Sequence, residues 1–445
     1  MKRAQNGGKM IIIQNGRLID PKSQTDAIMD LVIDRGKIIA MGPQSSQEFL
    51  SEHSPSQKTD DIVIDARGLV VAPGLIDVHV HFRDPGLTYK EDIHTGARAA
   101  AKGGFTTVVC MANTRPPIDH VDTLEYVLAE GKKTGIHVLS AAAITKNMKG
   151  EELTDMDLLK QHGAAGFTDD GLPLLNAALV KQAMEKAVQL DVPLSFHEED
   201  PAFIENNGVN QGDVSRQLGL GGASALAEDV MVARDCMLAL HTGATIDIQH
   251  ISSKNSVRMV ELAKQLGADI MAEVTPHHFS LDETAVLEHG TLAKMNPPLR
   301  TKHDQEEILR GLKNNIIDII ATDHAPHSAE EKSRPLTEAP SGIIGLETAL
   351  ALALTHLVHP GHLSLLQVIE KMSLNPARLY RLKKGFLAVG ADADLLLFDP
   401  DESWTVTSFA SKASNSPFLG KQLLGKVKYT ICEGKIVFQE DSETP

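Results

Sequence analysis

The chain has 445 residues, 42% of them hydrophobic and 4% aromatic, and its 43 Lys and Arg against 59 Asp and Glu leave a net charge of −16. So acidic a balance argues against nucleic acid or an anionic membrane as partner, and an anionic substrate would need positive charge gathered locally. Cys110, Cys236 and Cys432 are scattered and odd in number, which points to a reducing cytoplasm without a disulfide framework. No apolar stretch is long enough to span a bilayer, and the start lacks a signal-peptide core.

Residues 1–9 are polar and read as a disordered leader. From 10 to 72 short strands alternate with polar turns: IIIQNGRLID, DLVIDRGKIIAMG and DIVIDARGLVV. The Asp34-Arg35-Gly36-Lys37 turn between apolar runs is a hairpin signal. From 71 to about 326 the rhythm becomes strand then helix, repeatedly. Strand candidates lie at 74–81, 105–111, 137–144, 164–169, 193–198, 245–252, 269–276 and 316–323, with amphipathic segments at 177–190, 223–240 and 255–266 between them. This alternation predicts a parallel sheet, and eight units predict a (β/α)8 TIM-type barrel over 71–380. Many branched residues and few aromatics suit its interior. The long gap at 279–315 carries Met295-Asn296-Pro297-Pro298-Leu299-Arg300 and is expected over the barrel mouth. Helices are expected near 345–358 and 364–380. The opening strand rhythm then returns in ADADLLLFDP and KYTICEGKIVFQED. Both chain ends, 10–70 and 381–445, are therefore expected to form one small β-sandwich beside the barrel, giving an α/β fold overall.

The most informative stretch is His79-Val80-His81-Phe82-Arg83-Asp84-Pro85-Gly86, at the close of the first barrel strand. Side chains two apart on a strand share a face, so His79 and His81 project together, away from Val78 and Val80. Two adjacent imidazoles are half of a metal site, and Arg83 follows to hold an anion. Functional residues of such barrels sit at the C-terminal ends of strands. Asp169-Asp170, His197, His250 and Asp323 all fall there. Imidazoles and carboxylates without thiolates suit Zn²⁺, with Mn²⁺ or Co²⁺ as substitutes. Zinc brings the pKa of bound water to ~7, and two ions roughly 3.5–4 Å apart can share a hydroxide when a carboxylate bridges them. Amide hydrolysis also needs a group that takes the water's proton and returns it to the leaving nitrogen; Asp323 is placed for that.

Each piece has a structural alternative. A lone His197 or His250 would more often be a hydrogen-bonded core residue. Asp169-Asp170-Gly171 could be a turn with Gly171 at positive φ, and Asp323 a cap. Their convergence on successive strand ends favours the metal reading. His94, His162, His356, His359 and His362 are expected in solvent, as are Glu330-Glu331-Lys332 and Lys383-Lys384.

HVHFRDPG at 79–86, GGFTTVVCMANTRP at 103–116, FTDDG at 167–171, EVTPHH at 273–278, KMNPPLR at 294–300 and ATDHAPH at 321–327 resemble the bacterial type I class of dihydroorotases. That family lies within the amidohydrolase superfamily, and the likeness spans nearly the whole chain in order. The resemblance implies an enzyme with one or two Zn²⁺ ions per subunit that interconverts N-carbamoyl-L-aspartate and L-dihydroorotate in pyrimidine (UMP) biosynthesis. It implies the same barrel with a sandwich from both termini, and a cytoplasmic homodimer. Docking with an aspartate transcarbamoylase stays open. By motif, His79, His81 and Asp323 would hold one metal, His197 and His250 the other. Asp170 would bridge them where many superfamily relatives use a carboxylated lysine, because 164–171 contains no lysine. A metal-bound hydroxide would attack the ring carbonyl, with Asp323 as general acid and base. Arg83, reinforced by Asn113 and His327, would bind the substrate carboxylate. His81 and Asn296 would face the ring, with backbone groups at Ser341 and Gly342. Two positions depart from the family: Ala112 stands where relatives usually carry Pro, and Ser341 where a bulkier residue is common. The stretch 324–345 is expected to close as a lid. The rival readings are a hydantoinase or allantoinase, and an inactive scaffold for the transcarbamoylase. A scaffold should have lost metal ligands, whereas all six candidates are present.

Overall fold

A computed structural model describes residues 9–52 and 61–440; the expected leader, Lys9 apart, lies outside them. The chain is mixed α/β, with two parallel sheets and one mixed sheet.

The mixed sheet joins both chain ends. From the N-terminal side come β1 (Ile11–Asp20), β2 (Thr25–Asp34), β3 (Lys37–Gly42), β4 (Ile62–Asp65) and β5 (Val70–Pro73). The parallel strands lie between these and the last three strands of the chain. They are β6 (Leu75–Val80), β7 (Phe105–Cys110), β8 (His137–Ser140), β9 (Phe167–Thr168), β10 (Leu194–Phe196), β11 (Ile246–Ile248), β12 (Ile270–Val274) and β13 (Ile319–Ile320). The C-terminal side returns to the mixed sheet with β14 (Leu395–Thr405), β15 (Gln422–Cys432) and β16 (Lys435–Gln439). Its order is β16-β15-β14-β5-β1-β2-β3, with β4 also on β1. β1 changes partner along its length, pairing first with β4 and then, at Arg17 and Leu18, with β5. The β2–β3 hairpin turns at Arg35 and Gly36, both at positive φ, the geometry a tight two-residue turn needs. Ile11, Ile13, Leu31, Ile33, Leu395 and Leu397 enclose a core of their own. Residues 71–73 belong to this sheet, so the switch to the parallel strands falls at Gly74.

β6, β7 and β8 form one parallel sheet, and β9 to β13 the other. Parallel bridges Ala142↔Phe167 and Val80↔His324 join the two at either end. All eight expected strands are present, each shorter than the apolar run that announced it. The residues lost from the C-terminal ends include His197, His250 and Asp323, which leave the ladder to line the mouth. The helices between strands form where the amphipathic spacing predicts. Ala177–Leu190 starts at Asn176, whose side chain accepts from Ala178 N and Leu179 N, and buries Leu179, Val180, Ala183, Met184 and Ala187 on one face. Lys302–Lys313 starts with a reciprocal capping box between Thr301 and Asp304. Among the described residues no helix is long and apolar enough to cross a membrane.

Strict alternation fails in β6. Its ladder to β7 slips between Asp77 and Val80. Val80 packs in the main core, whereas Val78 joins Val109, Met111 and Ile319 against Tyr380. Lys384, expected in solvent, is half-buried: its Nζ lies 2.6 Å from Asp394 Oδ2 and 2.9 Å from His137 Nε2. His137, Asp394 and Cys432 sit close enough to suggest a metal site, but the Lys384 ammonium already supplies the cation. Because His137 begins β8 and Asp394 precedes β14, this network ties the mixed sheet to the parallel strands. His356, also expected in solvent, is half-buried, and burial lowers its pKa.

Burial alone would raise the Asp394 pKa, but His137 and Lys384 outweigh it and hold the carboxyl well below the usual range. A depressed folded-state pKa gives stability that is present above the unfolded value of about 3.9 and is lost as pH falls below it. Asp394→Asn should cost about 3 kcal/mol at pH 7, because it leaves Lys384 uncompensated. Thermal unfolding across a pH series should show that deficit narrowing below about pH 4.

Candidate metal centre

Asp170 lies just beyond β9. Its backbone N donates to Thr168 Oγ1 (3.0 Å), and Asn113 Nδ2 donates to its carbonyl (3.2 Å) and to Oδ2 (3.3 Å). Around this carboxylate four imidazoles converge. His79 Nε2 is 3.3 Å from Oδ1 and His81 Nε2 3.4 Å from Oδ2. On the other side His197 Nδ1 lies 3.7 Å and His250 Nε2 3.9 Å from Oδ1. Asp323 Oδ1 closes the first group, 2.9 Å from His81 Nε2 and 3.5 Å from His79 Nε2. His79, His81 and Asp170 form one set, and Asp170, His197 and His250 a second, with the ligand atoms of each within 4.8 Å of one another. The two sets share Asp170.

The distal ring nitrogens are held by other residues. His79 Nδ1 donates to Glu273 Oε2 (3.0 Å), both side chains fully buried, and His81 Nδ1 to Asn113 Oδ1 (2.9 Å). His197 Nε2 meets Glu199 Oε2 at 3.3 Å. Such contacts fix each ring's tautomer and orientation, as in metal sites. His79 Nε2 is buried and has no hydrogen-bond partner among the described residues. An orphaned imidazole nitrogen, aimed at two carboxylates beside a second histidine, fits a divalent cation.

The electrostatics agree. Burial opposes charge on His79, but Asp170, Glu273 and Asp323 raise its pKa well above the ordinary value. Burial would raise Asp170, yet the imidazoles hold it well below the carboxylate range. The carboxylates thus demand a positive charge. His250 lies the other way: burial, then His197 and His79, lower it well below its usual value, which keeps the ring neutral as a ligand must be.

A cavity of ≈ 280 Å³ opens above these groups. It is lined by His81, Arg83, Asn113, Asp170, His197, His250, Asn296, Asp323, His327, Ser341 and Gly342; His79 lies buried beside them. The six candidate ligands and the expected substrate-facing residues are thus at this one place. Arg83 donates from Nε to Pro326 O (3.3 Å), and its terminal nitrogens form no hydrogen bond among the described residues. Asn296 Nδ2 donates to Glu199 (3.0 Å), while its Oδ1 is buried and unpartnered. Both ring nitrogens of His327 are engaged, Nε2 by Ser341 O (2.8 Å) and Nδ1 by Lys90 Nζ (3.3 Å). Gly342 has φ +131, and a Cβ there would sit 3.1 Å from His327 Nε2 and 2.8 Å from Ala325 Cβ, so only glycine fits. Arg83, His250 and Asp323 are non-glycine residues at positive φ, a strain of order 1 kcal/mol or more each, which clusters at functional sites.

Asp169 turns away from the cavity to accept from Ile144 N (2.7 Å) and Thr145 N (3.1 Å). The stretch 324–345, expected as a lid, is tied down: the Asn415 side chain donates to Ala325 O and Gly342 O. Lys332, expected in solvent, is buried there. Sequence reasoning missed Glu273, Glu199 and Asn207, the last a further cavity residue. A carboxylate inside the apolar run of β12 was the signal for Glu273; Asn207 left none.

A family model described as Dihydro-orotase-like matches residues 68–256. The chain is 61% identical over 430 residues to a dihydroorotase of Clostridioides difficile (strain 630), covering 96% of this chain and 100% of that one. It is 52% identical over 434 residues to a dihydroorotase of Clostridium acetobutylicum, covering 97% and 100%. Among solved structures, L-hydantoinase (dihydropyrimidinase) from Arthrobacter aurescens superposes with a TM-score of 0.84 at 24% identity, over 97% of this chain and 96% of that one. That last likeness concerns the fold alone.

Glu273→Ala should weaken zinc binding about 10–100-fold, as measured by competition against a chromophoric chelator, with the fold retained by circular dichroism.

Proposed function

The chain belongs to the dihydroorotase family, and from that premise we propose that it interconverts N-carbamoyl-L-aspartate and L-dihydroorotate in the cavity above Asp170. The observation that carries this reading is the pair of histidine sets sharing one carboxylate, beside a guanidinium with both terminal nitrogens uncommitted. We assign His79, His81, Asp170 and Asp323 to one cation and Asp170, His197 and His250 to a second. Nitrogen and oxygen donors without thiolate favour Zn²⁺, as one or two ions. When bound, such a cation polarises an amide carbonyl and makes water acidic enough to attack at neutral pH.

The chain's own groups supply the rest. Arg83 is placed to pair with the substrate carboxylate, and its planar fork suits bidentate contact. Asn113 and His327 flank it while holding Asp170, His81 and Ser341 in place. Asn296 Oδ1, buried without a donor, accepts from a ureide N–H of the ring. Asp323 Oδ1 takes the proton of the attacking water and delivers it to the departing ring nitrogen; ring closure in biosynthesis runs these transfers in reverse. Asp170 is unsuited to that shuttle, because Asn113 and four imidazoles fix it. The same reading takes the two parallel sheets, with their bridges at both ends, as one (β/α)8 barrel. The mixed sheet with its separate core is then the β-sandwich.

The purified protein should hydrolyse dihydroorotate and leave hydantoins and allantoin nearly untouched; a preference for hydantoins would sink the substrate assignment. Asp323→Ala should lower turnover by about 10²–10⁴-fold while zinc binding survives in part, and near-native turnover would remove Asp323 from its role. Because Asp170 and no lysine lies between the histidine sets, metal-free protein reloaded with zinc in CO₂-free buffer should regain full activity. Rescue by bicarbonate would count against that bridge.

A further inference from the structure

Lys294 and Lys332 are each 5% exposed, and neither forms an ion pair among the described residues. Burial lowers both pKa values, that of Lys332 to about 7. A buried ammonium without a carboxylate is costly unless directed hydrogen bonds compensate, and here all the acceptors belong to one stretch of backbone or to its neighbour. Lys294 Nζ donates to Leu336 O and Ala339 O, both at 2.7 Å, and Lys332 Nζ to Pro340 O at 2.9 Å. Gly342 N in turn donates to the Lys294 carbonyl (2.9 Å). The segment 336–342 is thereby pinned immediately before and at the two residues, Ser341 and Gly342, that reach the cavity.

Lys294 also meets two other walls of the same cavity. Two residues along its own segment is Asn296. Against its stem lies Gly208, at φ +86, where a Cβ would come 2.5 Å from Lys294 Cγ and 2.8 Å from Ser341 Oγ. The neighbour of that glycine is Asn207, at the cavity rim. A bulkier residue at 341 would displace this loop, so the small Ser341 and Gly208 form a matched pair. No hydrogen bond or ion pair joins either lysine to the six proposed metal ligands.

We propose that Lys294, with Lys332 as a second clamp, is a positioning residue for the substrate, locking Ser341-Gly342, Asn296 and Asn207 into one wall of the cavity. It sets affinity for the carbamoyl-aspartate end of the reaction rather than the rate of bond making. The inference rests on the cavity being the dihydroorotate site. Lys294→Met keeps the stem and removes the donors, and Lys332→Met, which removes only the hydrogen bonds to Pro340 O and Lys294 O, serves if the first variant folds poorly. For either variant the KM for N-carbamoyl-L-aspartate should rise, about tenfold for Lys294→Met, with kcat within about threefold and zinc content unchanged. Lys294→Arg, which retains donors, should fall between. An unchanged KM, or a loss of kcat alone, overturns the proposal. Amide hydrogen exchange over 336–342 reads the clamp without any substrate: Lys294→Met should speed it at least about tenfold, and unchanged exchange also overturns the proposal. Should the unaltered protein fail to turn over carbamoyl aspartate, the substrate reading falls, and the exchange measurement alone decides on the clamp.

Discussion

The compensation between one buried carboxylate and four imidazoles governs this molecule. Asp170 is almost fully enclosed, and an anion removed from water costs several kcal/mol unless its surroundings answer it. Here His79, His81, His197 and His250 answer from two sides at once. Removing Asp170 would leave two histidine pairs with nothing in common, and the cavity would lose the axis about which its other residues are arranged.

The surrounding groups follow from that demand. Glu273, Asn113 and Glu199 each engage the distal nitrogen of a different histidine, so that the proximal nitrogens face Asp170. In His197 the inward atom is Nδ1, in the other three Nε2; for His79, His81 and His197 a carboxylate or amide engages the opposite nitrogen. The backbone bends to serve this arrangement. His250 and Asp323 adopt positive φ, and the strands carrying Asp170, His197 and Asp323 stop pairing just before them. The fold gives up ladder hydrogen bonds and local backbone ease where the chemistry needs side chains turned inward. The opposite end of the molecule shows an ordinary ion pair instead, with Lys384 already supplying the positive charge beside Asp394 and His137.

Much of this was legible in the residues. The eight apolar runs became eight strands because β-rich hydrophobic segments bounded by polar turns have few other ways to be buried. The His79-Val80-His81 spacing put two imidazoles together, and Ser341-Gly342, expected to contact substrate through backbone groups, reach the same cavity. Strand lengths were less legible: pairing in β10 and β13 ends at Phe196 and Ile320, short of the ends of the runs at 193–198 and 316–323, because His197 and Asp323 turn to the cavity. Val78 was misplaced because alternation assumes a regular strand, and β6 is not one. Lys332 and Lys384 look solvated in their polar neighbourhoods; only the backbone carbonyls and the carboxylate that distant segments bring to them explain their burial. Glu273 was written in the sequence as a charge inside an apolar strand, but its partner lies 194 residues away.

Anomalous X-ray diffraction at the zinc absorption edge, from crystals of the protein grown with zinc, tests the central assignment most directly. The account predicts anomalous density next to Asp170, on the side of His79, His81 and Asp323 and, when two ions bind, on the side of His197 and His250 as well. Strong density elsewhere, at His137 and Cys432 for instance, with none beside Asp170, would contradict it.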